Sequence, residues 1–160
     1  MLDYIFWVNI VPFATLRTPI RVLFADTDAM GIVYYGNYFR FFEAGRRAYV
    51  AHFSPEIAGT YETNTPMLFP VTATSCRYRK SARVYEQLTV ETRLIRVKRA
   101  SFVFAYLLRR DRDQAVISEA ESEHAFVNEA GKVLRFDHRL KTFFERAHAD
   151  QPAVLPVQVG

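Results

Sequence analysis

The chain holds a single cysteine, Cys76, so it can form no intrachain disulfide and no thiolate metal cluster. A reducing cytoplasm is the compartment this predicts, with Cys76 serving as core packing. No H-E-x-x-H or G-x-S-x-G segment is present, and His52, His124, His138 and His148 lack the spacing of metal ligands. Neither a metal site nor serine-triad hydrolysis is expected. Long hydrophobic runs are missing too: the most apolar stretch, the first 16 residues, is too short to span a bilayer and is broken by Pro12. That stretch contains Asp3 and lacks both a basic n-region and an A-x-A site, so it does not read as a secretory signal. Residues 1–17 are expected to be an apolar extension packing on the body or on a neighbouring subunit.

What is present is enough for one folded domain. A chain of 160 residues can bury about 70% of its unfolded surface. Its composition, 50% hydrophobic with 14 Phe and 9 Tyr, argues against disorder and for strands packed on bulky residues. The formal charge of +4 and the pI near 9.3 favour anionic partners, and both coenzyme A and nucleic acid fit that balance. The aromatic stripe of Phe102, Phe104 and Tyr106 is better explained as core than as a base-stacking platform, so nucleic acid is not expected.

Periodicity predicts a strand over 18–24 and a helix over 37–52, with Tyr38, Phe41, Phe42, Gly45, Ala48 and Tyr49 on one buried face. Glu43 can pair with Arg47 on another face. Residues 54–66 read as loop, with a short helix before Gly59. Strands follow over 71–79, 87–97, 101–110 and 115–128, joined by hairpins at 112–114 and 128–131 and reading as an antiparallel meander. A closing helix is expected over 137–147, leaving 148–160 as a tail. One early helix followed by consecutive strands predicts an α+β fold, not a doubly wound sheet.

The densest chemistry lies between the first strand and the helix, in Asp26-Thr27-Asp28-Ala29-Met30-Gly31-Ile32-Val33-Tyr34-Tyr35-Gly36-Asn37-Tyr38. Carboxylates sit here beside a helix start, whose unpaired N–H groups can hold the oxygen of a polarised carbonyl while a carboxylate attacks or activates water. A bare D-x-D pair more often makes an Asx-turn, and Asp26 fits that role of shaping the turn. An EF-hand fails because Met30 and Asn37 stand where calcium ligands belong, and a phosphatase-type pattern fails at Met30 as well. Gly31 and Gly36 permit tight turns and close approach of a ligand to backbone amides. Asn37 is placed to cap the helix.

The run D-T-D-A-M-G-I-V-Y-Y-G-N-Y-F-R-F-F-E-A-G-R resembles the signature of the 4-hydroxybenzoyl-CoA thioesterase-like hotdog family, of the type associated with the Tol-Pal system. The resemblance is densest over 22–47 and continues to about residue 144. It implies a five-stranded curved antiparallel sheet wrapped around a long central helix, spanning 18–147, and an acyl-CoA thioesterase activity. It assigns the catalytic carboxylate to Asp28, as nucleophile or general base. The carbonyl-polarising backbone N–H falls at Tyr35, where many relatives carry His. Gly31, Ile32, Val33, Tyr34, Gly36 and Asn37 become substrate-binding candidates, and Arg79, Lys80 and Arg83 candidates for the phosphates of coenzyme A. Ser81-Ala82 stands where relatives often have Pro-Ala, and Glu43 with Arg46 matches an E-x-x-R that reads as a helix ion pair or dimer contact. The resemblance implies no metal or bound organic cofactor, coenzyme A entering as part of the substrate. A homodimer or homotetramer is expected. The alternatives are an acyl-carrier-protein thioesterase and a non-catalytic acyl-CoA-binding or scaffold protein.

Overall fold

A computed structural model describes residues 13–58, 68–135 and 137–149. Strand β1 (Leu16–Arg21) alternates buried Leu16, Thr18 and Ile20 with exposed Arg17, Pro19 and Arg21. It starts two residues earlier than expected, inside the segment assigned to an extension. Phe13 and Ala14 ahead of it are buried: the Phe13 ring stacks on His148 at 3.8 Å, and Ala14 donates its N–H to the Ala147 carbonyl and accepts from the Tyr49 hydroxyl. The domain body therefore begins by residue 13. Residues 1–12 of the expected extension, and 150–160 of the expected tail, lie outside the described residues.

Helix α1 (Tyr38–Phe53) buries Tyr38, Phe41, Phe42, Gly45, Tyr49, Val50 and Phe53 along one face. It meets the sheet at Gly45, where a Cβ would stand 2.5 Å from Thr92 Oγ1 and 2.9 Å from Val90 Cγ1. A mid-helix glycine costs about 1 kcal/mol in propensity, which the closer seating on the sheet offsets. Glu43 pairs with Arg46 at 2.6 Å, the helix ion pair expected of the E-x-x-R, in place of the i, i+4 pairing with Arg47. The single turn α2 (Pro55–Ala58) follows.

The remaining elements are β2 (Val71–Tyr78), β3 (Gln87–Val97), β4 (Ser101–Arg110), β5 (Val116–Ala125) and α3 (His138–Ala149). All pairings are antiparallel, in the order β1-β3-β4-β5-β2. The predicted meander thus holds for β3, β4 and β5 but not for β2. The chain crosses the sheet through α1 before it enters β2, so β2 lands at the far edge, beside β5. Five strands curving around one long helix make the α+β hotdog arrangement.

The two edges differ. Pro19 is tolerated in β1 because an edge strand has one side free of ladder bonds. On β2 every residue but the half-buried Cys76 is exposed, and Cys76 and Tyr78 alone reach toward the core and α1. Aromatic packing fills the core, with Phe42 stacked on Tyr106 at 5.1 Å and Tyr49 edge-on to Phe104 at 5.3 Å. A polar run crosses it from Tyr106 to Ser122 to His124, each link 2.7 Å. His124 Nδ1 lies 3.1 Å from the Phe69 carbonyl, which can only accept. That nitrogen therefore carries the proton, and Nε2 accepts from Ser122. No helix among the described residues is long and apolar enough to cross a membrane.

Candidate active site

Between β1 and α1 the backbone turns back on itself. Thr27 and Val33 form an antiparallel bridge, and the Tyr34 N–H donates to the Asp26 carbonyl at 2.9 Å. At the tip, the Asp28 N–H bonds the Ile32 carbonyl and the Gly31 N–H bonds the Asp28 carbonyl, both at 2.9 Å. Gly31 has φ of +69° with open space around its Cβ position, so glycine is required by torsion and not by crowding. Gly36 shows the reverse: a Cβ there would meet the Tyr34 ring at 2.9 Å.

The two aspartates have different surroundings. Asp26 is 4% exposed and fully engaged. Its carboxylate accepts the Leu23 N–H at 2.8 Å and Arg40 Nη2 at 2.6 Å on both oxygens, while its carbonyl also accepts Asn37 Nδ2 at 2.9 Å. This is the turn-shaping role expected of it. Asp28 is half-buried, and its Oδ1 accepts the Met30 N–H at 2.8 Å in an Asx-turn. The other oxygen, Oδ2, has no hydrogen-bond partner among the described residues.

Residues 35–37 form a single 3-10 turn that leads into α1. The Tyr35 N–H opens it with no backbone acceptor among the described residues, as the first amides of a helix do. Asn37 stands at the cap position but already has helical torsions, φ −73° and ψ −15°, and makes no side-chain cap bond. The expected capping is corrected for that reason: the preceding turn swings its carboxamide back to Asp26.

Of the other candidates, Val33 lies in the core at 3% exposure, its N–H bonded to the Ala82 carbonyl at 2.9 Å. Ile32 bridges Arg83, which brings Arg83 beside the loop. Tyr34 and Tyr35 are exposed, with ring centres 4.6 Å apart. Arg79 is paired with Glu119 at 3.0 Å, whereas the side chains of Lys80 and Arg83 have no carboxylate partner among the described residues. A cavity of about 580 Å³ opens on the sheet face away from α1, lined by Arg77, Glu91, Arg93, Leu107, Glu119 and Glu121 among others and by none of the loop residues.

Two residues escaped the sequence reading. Arg40 holds Asp26 from the first turn of α1, and a cation three residues past Asn37 was the available signal. Tyr78, the last residue of β2, donates its hydroxyl to the Tyr35 carbonyl at 3.0 Å. Strand alternation places it on the face of Thr74 and Cys76, but nothing in its local sequence marks the partner.

A profile of the thioesterase-like superfamily matches residues 22–156. The acyl-CoA thioesterase YbgC of Haemophilus influenzae is 34% identical over 95 residues, 58% of this chain and 68% of that protein. The DHNA-CoA thioesterase of Staphylococcus aureus superposes with a TM-score of 0.74 at 25% identity, covering 83% of this chain and 88% of that one. An asparagine-for-aspartate variant of 4-hydroxybenzoyl-CoA thioesterase, in complex with 4-hydroxybenzoyl-CoA, superposes with a TM-score of 0.73 over 83% and 98% of the two chains; at 23% identity this is a likeness of fold.

Proposed function

The chain belongs to the thioesterase-like superfamily, and from that premise we propose that it hydrolyses acyl-CoA thioesters to a carboxylic acid and free coenzyme A. The observation that carries the reading is the state of Asp28: one carboxylate oxygen is held by the Met30 N–H and the other has no hydrogen-bond partner among the described residues, in the loop that leads to a helix start whose first amides have no backbone acceptor there. Asp28 acts either by attacking the thioester carbonyl, giving a mixed anhydride that water then opens, or by taking a proton from the attacking water. In both routes the C–S bond breaks, coenzyme A leaves as a thiolate and is protonated, and the oxyanion is met by the Tyr35 N–H at the positive end of α1. Of the three phosphate candidates, Lys80 and Arg83 have no carboxylate partner among the described residues and would meet the phosphates of coenzyme A, Arg83 being the one next to the loop. Tyr34, Tyr35 and Ile32 line the approach, while Val33 supports it from below.

Two protomers would complete this site. The bare β2 strand offers an unpaired edge with no proline or lysine to discourage pairing. Two copies joined there as a homodimer would extend the sheet and bring a second set of side chains to Tyr78 and the helix start.

Free-thiol release from short, long and aromatic acyl-CoAs, by wild type and Asp28→Asn, tests the reading. Turnover that collapses in the variant supports it and identifies the acyl class. Equal rates remove Asp28 from the mechanism. Absence of turnover across the panel, with release from acyl-carrier protein, transfers the activity to a carrier-protein substrate.

A further inference from the structure

We propose that Tyr78 is a positioning residue for the amide donors at the start of α1, a role that rests on the thioesterase reading above. Its hydroxyl donates to the Tyr35 carbonyl at 3.0 Å, and no other side chain among the described residues bonds that oxygen. The oxygen belongs to the planar Tyr35–Gly36 peptide, whose C=O and N–H point in opposite directions. Holding the oxygen toward β2 therefore aims the Gly36 N–H away from it and fixes the backbone torsion that follows Tyr35. An amide whose oxygen accepts a hydrogen bond is polarised, so its N–H becomes a stronger donor. The Gly36 N–H, like that of Tyr35, has no backbone acceptor among the described residues.

The surroundings of Tyr78 fit such a strut. Its ring meets the buried Tyr38 edge-on at 5.1 Å, which ties the end of β2 to the first residue of α1. The Tyr34 ring also lies against the Gly36 peptide, 2.9 Å from where a Cβ at residue 36 would stand. Burial pushes the Tyr78 phenol up to about 12, so its hydroxyl stays a donor throughout the neutral range. Loop and sheet thus grip the same short turn: Asp26 holds Tyr34 and Asn37 from one side, and Tyr78 holds Tyr35 from the other.

Tyr78→Phe removes the hydroxyl and keeps the ring. The expected result on the best acyl-CoA is a kcat lowered about tenfold, with KM and the melting midpoint held. A second readout needs no substrate. Tyr35-Gly36 is the only Tyr-Gly step in the chain, so labelling tyrosine carbonyl carbons and glycine nitrogens isolates the Gly36 amide in an NMR spectrum. Its resonance should move in Tyr78→Phe. An unchanged kcat overturns the proposal, as does a lower kcat with an unmoved Gly36 resonance or with a matching loss of thermal stability. A wild type that turns over no thioester defeats the thioesterase reading in its own arm of the experiment, and the role of Tyr78 in it falls too.

Discussion

The same backbone turn occurs twice among the described residues, and the first copy carries the candidate chemistry. In the first hairpin the Tyr34 N–H reaches the Asp26 carbonyl, the Asp28 N–H reaches Ile32, and the Gly31 N–H reaches Asp28. In the second, the Leu134 N–H reaches Phe126, the Asn128 N–H reaches Lys132, and the Gly131 N–H reaches Asn128. Thr27 bridges Val33 as Val127 bridges Val133, and Gly31 and Gly131 have φ of +69° and +74°. The side chains separate the two. Asn128 uses its oxygen on the Lys132 N–H, while Asp28 caps Met30 with one oxygen and has no partner for the other among the described residues. Phe126 fills the core where Asp26 grips Arg40. The second turn closes with no charge at that position, so the backbone bonds alone do not call for the carboxylate of Asp28.

The largest effect is expected where the first hairpin is made chemically like the second. Asp28→Asn keeps a cap for Met30, so thiol release should fall about 10²- to 10⁴-fold while the melting curve stays in place. The reciprocal Asn128→Asp should leave turnover unchanged. Asp26→Asn attacks the other difference: a buried acceptor loses its charge against Arg40, and we expect a stability loss of about 1–3 kcal/mol in urea unfolding, softened by the half-exposed Arg40. Gly31→Ala and Gly131→Ala force the same left-handed torsion on a side chain and should each lose about 1 kcal/mol, with turnover dropping only in the first.

The smallest expected effect separates the second hairpin's surroundings by pH. Burial holds the imidazole of His124, two residues before Phe126, below its ordinary range, and His148 shifts the same way. The unfolded chain then binds more protons as pH falls below about 6.5, so stability is present above that value and lost on acidification. Melting midpoints measured from pH 8 down to pH 5 should fall, and His124→Gln should flatten the decline.

Local signals account for what could be read in advance. Strands 87–97 and 101–110 emerge at their observed bounds because alternation and turn residues coincide there, and α1 falls within one residue of its prediction. The place of β2 was not legible, since pairing with β5 is a choice between distant partners that alternation does not encode. The start of β1 was hidden because Phe13 to Leu16 continue the apolar run ahead of them, and their burial depends on α3 at the other end of the chain. In the site, Asp26 and Gly31 behave as their residue types predict. Asn37 does not, because a 3-10 turn precedes the helix, and the Tyr78 contact joins residues 43 apart in sequence.

The unequal edges of the sheet bear on how far this protein can associate. On β1, Pro19 removes a donor and the side chains of Arg17 and Arg21 stand in water, so that border is a poor template for another strand. The β2 border has no proline, and Arg77 is its one basic residue. If chains join border to border through β2, each joined pair presents two guarded β1 rims and no open one, so growth terminates at the first step. A sheet built this way does not run on into a fibre, and control of its polymerisation rests on Pro19, at the opposite end from the joint.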